Sequence, residues 1–318
     1  MQPGLCQLFL VLYGLWMVTA RPSEDAAAAS PPDDFPSLPP ILHPGYFSPD
    51  YKGNMIPGLV SSWSPNDPTN VWELSGLREG DIMEDGPKSR NVVSDPESLW
   101  ADATIPYILE PMFTDAERKT IREGMEMIQK DTCFKFRPFR IGDMDFVYIQ
   151  GGPTGCWSYV GRQGGGQVVN LQRAGCVYKG VVAHELLHAA GFFHQQSAAD
   201  RDEYVFVNYT NIQSGRESNF DKYNESVVSD FGVGYDYGSV MHYSRKAFSK
   251  NGEDTLVPLK DGAEIGNRDS VTDKDMAKLK AKYGCSEGSE VTEAPSNYGT
   301  MMFEAGNQLL SLFVAPPN

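Results

Sequence analysis

The chain has 318 residues, 22% of them charged, and a formal net charge of −15 at neutral pH. That length is enough for one large domain with appended segments. The negative charge argues against binding to nucleic acids or to anionic membrane surfaces, so we expect neither kind of partner.

The N-terminal segment is typical of a secretory signal peptide. Residues 5–18 are mostly apolar, and Val18, Thr19 and Ala20 form a small-residue cleavage pattern. The apolar stretch is too short to cross a bilayer comfortably, and no other segment approaches spanning length. We therefore expect a signal peptide at 1–20 and a secreted, extracellular, monomeric protein.

A polar segment of low complexity follows. Residues 21–68 are rich in Pro, Ala, Ser and Asp and show little apolar periodicity. Such a composition cannot form a core of its own, so we predict an extended conformation for this segment.

Patterns in the remainder predict both helices and strands. Thr114 and Glu117 are typical of a capping box that begins a helix. Segments 145–150 and 167–172 predict strands separated by glycine-rich turns. A last helix is predicted at 272–283.

Three of the five histidines lie within eleven residues, in the order His-Glu-Leu-Leu-His-Ala-Ala-Gly-Phe-Phe-His. On a helix predicted at 177–190, His184 and His188 project from one face and can reach one ion. Gly191 allows the chain to leave the helix and return His194 as a third ligand. Three nitrogens and one open position are typical of a catalytic zinc site, so we predict one Zn²⁺ per chain.

Glu185 is the candidate general base. It is adjacent to the first histidine of the motif, which places a carboxylate beside the open coordination position. We predict that Glu185 takes a proton from the attacking water and delivers it to the leaving amine of a cleaved peptide bond.

Cysteine usage agrees with an oxidising compartment. Cys6 is removed with the signal peptide, and an even number remains. These are Cys133, Cys156, Cys176 and Cys285. Four cysteines allow three pairings, and their spacing does not choose between them. Two sequons, at Asn208 and Asn224, are candidate glycosylation sites.

The histidine motif resembles that of the metzincin zinc proteases, and further segments resemble the astacin family within them. Residues 239–243, Ser-Val-Met-His-Tyr, resemble the Met-turn of that family. The likeness covers 91–285 and includes 160–162, 200–202 and 283–285. It implies an α+β, astacin-like metzincin fold, in which a twisted mixed β-sheet and a long zinc-binding helix form two subdomains that flank an active-site cleft.

The same resemblance implies roles for residues outside the histidine motif. Met241 would form an apolar floor beneath the metal, and the Tyr243 hydroxyl would stabilise the oxyanion. The disulfides would be Cys133–Cys285 and Cys156–Cys176. Substrate would lie extended along the cleft as an added strand.

Asp81 resembles the aspartate by which the family's pro-segment coordinates zinc, in the zymogen only. Residues 21–90, called the pro-segment below, would be removed by a trypsin-like protease that cleaves between Arg90 and Asn91. Residues 91–285 would form the peptidase domain and 286–318 a short, disordered tail. Arg78 stands where the family has phenylalanine.

A second departure concerns the residue after the third histidine. The family usually has a glutamate there, which interacts with the buried new N-terminus, whereas this chain has Gln195. An amide cannot neutralise an ammonium group. We expect the mature N-terminus to be held more weakly than is usual in the family.

The sequence therefore predicts a secreted zinc endopeptidase, made as a zymogen, that cleaves extracellular proteins or peptides. One alternative is a zinc-bearing but weakly active or inactive binding or adhesion protein of the same fold. Another is a different metzincin branch, against which the Met-turn and the lack of cysteine between residues 21 and 90 argue. Digestive, hatching and matrix-processing roles all stay open.

Overall fold

The computed structural model describes residues 55–84, 96–224 and 227–285. The predicted signal peptide, the proposed cleavage point at Arg90 and Asn91, and the tail at 286–318 lie outside the described residues. All the described residues belong to one unit that begins at Pro39.

The described part of the chain contains both helices and strands. The helices are α1 Ile56–Ser62, α2 Asp115–Gln129, α3 Arg173–Cys176, α4 Lys179–Ala189 and α5 Asp273–Tyr283. The strands are β1 Thr104–Leu109, β2 Lys135–Pro138, β3 Phe146–Gln150, β4 Cys156–Ser158, β5 Gly166–Leu171, β6 Val205–Val207 and β7 Leu256–Pro258.

The main sheet has five strands in the order β2-β1-β3-β5-β4. Neighbouring strands are parallel except β4, which runs antiparallel to β5 with Trp157 opposite Asn170. The predicted strands at 145–150 and 167–172 are β3 and β5, each within one residue of the predicted bounds. The mixed, mostly parallel sheet confirms the predicted fold class, and it leaves β4 as an edge strand.

Local signals place the helices where the sequence predicts them. The Thr114 hydroxyl accepts a hydrogen bond from the Glu117 N–H, and the Glu117 carboxylate accepts one from the Thr114 N–H, which completes the predicted capping box at the start of α2. Helix α2 packs closely on α4 at Gly124, which has no side chain. A Cβ atom at this position would lie only 2.6 Å from the Val182 side chain. The predicted last helix is α5, capped in the same way by Thr272.

The buried apolar residues form two clusters. The larger contains the sheet, α2 and α4 and includes Met241. The smaller surrounds β6 and β7 and includes Tyr243. The segment 239–243 contributes to both clusters, with Met241 in the larger and Tyr243 in the smaller.

The prediction that residues 21–68 are extended is wrong for α1. Pro57 suits the first turn of a helix because its missing N–H has no intrahelical partner there. Ile56 and Val60 are buried against the larger apolar cluster. Tertiary contact with a later part of the chain supplies the core that the composition of the segment lacks.

Two disulfides join the pairs that the astacin resemblance implied. Cys133–Cys285 closes a separation of 152 residues and Cys156–Cys176 one of 20. The first joins the end of α2 to the end of α5. The second joins β4 to the end of α3.

We expect removal of the Cys133–Cys285 bond to destabilise the protein more than removal of Cys156–Cys176. In the chain-entropy model, the longer loop contributes about 5 kcal/mol and the shorter about 3 kcal/mol. Paired Cys→Ser variants compared by denaturant unfolding measure the difference. A larger loss from the shorter loop would show that local strain or contacts outweigh loop entropy.

Glu73 is a buried carboxylate through which the pro-segment contacts the residue after Tyr243. It accepts hydrogen bonds from the Ser244 N–H (2.7 Å), the Ser244 hydroxyl (2.8 Å) and the Asn70 N–H (3.1 Å). Burial has the largest effect and raises the pKa of Glu73 to about 7, although these hydrogen bonds and Arg268 oppose it.

We expect the uncut chain to lose stability relative to a Glu73→Gln variant as the pH rises. The pKa of Glu73 is higher in the folded chain than its ordinary value of 4.5. The stabilisation from protonated Glu73 is therefore complete below pH 4.5 and is lost as the pH rises through 7. The difference corresponds to about 3 kcal/mol. Denaturant unfolding at several pH values between 4 and 8 measures it, with exposed Glu264→Gln as the control. Parallel curves for wild type and Glu73→Gln would contradict this expectation.

Candidate metal centre

Helix α4 carries two of the three motif histidines and ends so that the third returns to them. Gly191 has φ +95°, a conformation that favours glycine. The N–H of Gly191 donates to the His188 carbonyl (2.7 Å) and that of Phe192 to the Leu187 carbonyl (3.0 Å). This is a Schellman ending, which reverses the chain and brings His194 back beside α4.

The three histidines and Asp81 form one buried cluster. His184, His188 and Asp81 are 0% exposed and His194 is 1% exposed. One ligand atom from each residue lies within 4.8 Å of the others. The Asp81 Oδ2 atom is 3.0 Å from His184 Nε2 and 3.4 Å from His194 Nε2. The structure therefore brings together all four residues that the sequence analysis named as ligands.

The hydrogen bonds of the histidines show which ring nitrogens are free to bind a metal. His184 Nδ1 is 2.8 Å from the Val240 carbonyl and His188 Nδ1 is 2.7 Å from the Phe192 carbonyl. A carbonyl only accepts, so each Nδ1 carries the proton and each Nε2 presents a lone pair. These two Nε2 atoms are 3.1 Å apart. Lone pairs facing one another and a carboxylate are the donor set that Zn²⁺ takes.

The charges around the cluster also favour a cation. Burial would raise the pKa of Asp81, but the neighbouring His194 and His188 hold it well below its usual range. Burial lowers the pKa of His194, but the charges of Asp81 and Glu79 outweigh it and raise this pKa to about 10. The same negative potential favours a divalent ion at Nε2. The residues present therefore fit zinc.

Glu185 lies in α4 next to the first ligand and is 0% exposed. Neither carboxylate oxygen has a hydrogen-bond partner among the described residues. Burial, with the charge on Asp81, raises the pKa of Glu185 well above its usual value. A carboxylate whose pKa is raised is a stronger base than an exposed one and is better suited to accept a proton.

The Met-turn is held between α5 and the histidine motif. The Asp275 carboxylate of α5 accepts hydrogen bonds from the Ser239 hydroxyl (2.6 Å) and the Val240 N–H (3.1 Å). The Met241 carbonyl accepts one from the Gln195 N–H (2.9 Å). Because the Val240 carbonyl accepts from His184, α5 helps to orient a candidate ligand through this turn.

Tyr243 lies against the third histidine, with ring centroids 4.7 Å apart. Burial raises the pKa of its hydroxyl well above the usual value, so the group is a neutral donor. The neighbouring His242 is engaged elsewhere, since its Nε2 lies 2.8 Å from the Tyr235 hydroxyl and its Nδ1 lies 2.9 Å from the Tyr243 carbonyl. His242 is therefore not one of the ligands.

The pro-segment lies along the outer edge of β4, the last strand of the main sheet. Ile82 forms a parallel bridge with Ser158. The Ser158 N–H donates to the Asp81 carbonyl (3.0 Å) and the Met83 N–H donates to the Ser158 carbonyl (2.9 Å). Trp72, fully buried, stacks on the His184 ring with centroids 4.0 Å apart. The pro-segment thus occupies both the edge of the sheet and one side of the cluster of three histidines.

Sequence reasoning missed the part played by Glu79. Its carbonyl accepts a hydrogen bond from the Tyr243 hydroxyl (2.6 Å), and its Oε2 atom lies 2.9 Å from His194 Nδ1. Arg78, the departure from the family's phenylalanine, pairs with Glu84 and lies over the Tyr223 ring at 5.4 Å. Nearness to Asp81 in the sequence was the only available signal for Glu79.

Gln195 already has a cationic partner within the peptidase domain. Its side-chain carbonyl accepts a hydrogen bond from the Lys278 ammonium. Lys278 and Lys282 both line a cavity of about 680 Å³ beside His194. The weaker hold on the mature N-terminus stays a prediction, because Asn91 lies outside the described residues.

Two further predictions concern the surface. The Asn208 side chain accepts hydrogen bonds from the N–H and hydroxyl of Thr210 within its sequon. The second sequon begins at Asn224, but its residues 225 and 226 lie outside the described residues.

No helix in the described ranges combines the length and apolar character that a bilayer crossing requires.

Comparison with known proteins gives a family match. Residues 92–284 match the family model of the Astacin peptidases. The chain is 44% identical over 269 residues to zinc metalloproteinase nas-13 of Caenorhabditis elegans, covering 78% of this chain and 59% of that protein. It is 36% identical over 225 residues to an astacin-like metalloendopeptidase of Gallus gallus, covering 69% of this chain and 54% of that protein.

A solved structure is also similar. High choriolytic enzyme 1, a hatching-enzyme zinc protease of Oryzias latipes, matches with a TM-score of 0.55 and 34% identity, covering 65% of this chain and all of that one. The chain spans about half the length of the curated relatives that it matches, between 45% and 59% for nas-13, nas-15 and nas-14.

Proposed function

The chain belongs to the astacin family of zinc metalloendopeptidases, and from that premise we propose that it is a secreted endopeptidase made as a zymogen. Its substrates are peptide bonds of extracellular proteins or peptides. Residues 1–20 are the signal peptide, the pro-segment keeps the enzyme latent, and 91–285 form the peptidase domain. The two disulfides support an oxidising, extracellular compartment.

One observation carries this proposal: three imidazoles and a carboxylate converge in a buried cluster beside a glutamate that has no partner among the described residues. His184, His188 and His194 would hold one zinc ion in the mature enzyme, and Asp81 would add a fourth ligand in the zymogen. A site with three protein ligands and one open position is catalytic rather than structural.

When bound, zinc supplies a Lewis acid that lowers the pKa of water and polarises the scissile carbonyl. Glu185 accepts a proton from the attacking water and delivers it to the leaving amine. The Tyr243 hydroxyl donates a hydrogen bond to the developing oxyanion. Met241, buried among apolar residues, keeps water from the underside of the site.

Latency follows from three contacts of the pro-segment. Asp81, which lies among the three histidines, would fill the fourth ligand position. The Glu79 carbonyl accepts a hydrogen bond from the Tyr243 hydroxyl. Residues 81–83 use the N–H and carbonyl of Ser158, the edge on which an extended substrate would pair. Cleavage between Arg90 and Asn91 by a trypsin-like protease would release all three.

A casein digest tests the proposed function. The purified chain is assayed before and after limited trypsin treatment, with and without a chelator, and its zinc content is measured. We expect one zinc per chain, activity only after trypsin, and loss of that activity with the chelator. Stoichiometric zinc without any turnover would favour the alternative of an inactive binding protein.

A further inference from the structure

The outer nitrogens of the three histidines are held by two different parts of the chain. His184 and His188 donate from Nδ1 to the carbonyls of Val240 and Phe192, which both belong to the peptidase domain. His194 instead faces a carboxylate of the pro-segment, with Nδ1 2.9 Å from Glu79 Oε2. Only the third histidine therefore has, at its outer nitrogen, a partner that activation would remove.

The Glu79 carboxylate is fixed from several sides by the peptidase domain. The Ser197 hydroxyl donates to Oε2 (3.3 Å) and the Tyr223 hydroxyl donates to Oε1. The Glu79 N–H donates to the Asn219 side-chain carbonyl (3.0 Å), and the residue is 2% exposed. These contacts leave the carboxylate little freedom to move away from His194.

The backbone of Glu79 supports the same conclusion. Its φ of +49° lies in the left-handed region, which a residue with a Cβ adopts at a cost of about 1 kcal/mol. Such a conformation persists where surrounding contacts determine it. Here the conformation lets the carbonyl of Glu79 meet Tyr243 while its side chain meets His194.

We propose that Glu79 is a positioning residue of the metal centre, which orients His194 through Nδ1 so that the pro-segment holds the metal at two points. Asp81 would contact the ion directly and Glu79 would act through His194. A carboxylate that accepts from a ligand histidine fixes its ring and raises its basicity. This inference rests on the proposed function, because it needs His194 to be a metal ligand.

The first test measures zinc affinity in uncut protein that carries Arg90→Ala. Glu79→Gln keeps the shape of the side chain but removes its charge. Loss of an outer partner typically weakens metal binding by about 10- to 100-fold, and we expect a loss in that range in competition with a chromogenic chelator. Glu84→Gln is the matched control, since Glu84 pairs with Arg78 and touches none of the histidines.

The second test identifies which histidine is affected. In protein loaded with Co²⁺, proton NMR shows the exchangeable Nδ1–H signals of ligand histidines at strongly shifted positions. We expect Glu79→Gln to move or broaden one of three such signals and to leave the other two in place. Tyr223→Phe, which removes a donor to the Glu79 carboxylate, should move the same signal by less.

Unchanged affinity and three unmoved signals in Glu79→Gln would overturn the inference. A Glu79→Gln chain that fails to fold would shift or lose all three signals, and Tyr223→Phe then decides the matter by whether it moves one signal. Wild-type protein without zinc would instead refute the proposed function. Zinc-loaded wild type with a silent Glu79→Gln would refute only the role of Glu79.

Discussion

Glu185→Gln should retain stoichiometric zinc and lose nearly all peptidase activity after pro-segment removal. Glutamine has the shape of glutamate, but its amide cannot accept a proton at neutral pH. General acid and base catalysis contributes about 10²–10⁴-fold, so kcat should fall within or beyond that range. The three histidines stay in place, because the Glu185 carboxylate accepts no hydrogen bond from any described residue.

The assay for this prediction pairs peptide hydrolysis with elemental analysis of the same sample. Glu264→Gln, at an exposed position of the peptidase domain, is the control for the chemistry of the substitution. Substantial turnover in Glu185→Gln would remove the general-base assignment. Loss of zinc together with activity would show instead that Glu185 supports the metal site.

Asp81→Asn should make the uncut chain partly active. The wild-type carboxylate faces three imidazoles in a fully buried cluster, and its pKa lies well below the usual range. Asparagine has nearly the same shape as aspartate but lacks the negative charge that attracts a cation. Interactions with charged groups contribute about 1.5–3 kcal/mol, so the fraction of open sites should rise by about ten- to a hundredfold.

This comparison requires that neither protein is cleaved, so both carry Arg90→Ala and are assayed with a short peptide substrate. Asp67→Asn is the control, because the side chain of that pro-segment aspartate accepts a local hydrogen bond from the Ser64 N–H, and the substitution leaves its backbone carbonyl, which accepts from Arg268, unchanged. Full latency in Asp81→Asn would mean that the pairing of residues 81–83 with β4 and the contacts of Glu79 are enough to block the site. The aspartate switch would then be the wrong description of this zymogen.

The three histidines proposed as ligands were predictable because their signal is local. His184 and His188 are one helical turn apart, and Gly191 marks the point at which the chain reverses. The structure agrees, with α4 at Lys179–Ala189 against a predicted helix at 177–190. The capping box at Thr114 was predictable for the same reason, since it lies within four consecutive residues, whereas the similar cap at Thr272 was observed only in the structure.

The placement of the pro-segment was not predictable from its composition. Residues 21–68 contain too few periodic apolar residues to form a core, yet Ile56 and Val60 complete one by packing on the peptidase domain. Trp72 stacks on a ligand histidine more than a hundred residues away in the chain. These contacts are made with a surface in a distant part of the chain, so no periodicity within the segment itself indicates them.

The sequence by itself determined the helix spacing that places two imidazoles on one face, the adjacent glutamate and the four cysteines that follow the predicted signal peptide. Only the tertiary structure decided which groups hold those imidazoles: the Val240 carbonyl, the Phe192 carbonyl and the Glu79 carboxylate. The physical reason is distance along the chain. Helical periodicity acts over a few residues, whereas Glu79 and His194 are 115 residues apart and meet only when the pro-segment packs against the peptidase domain.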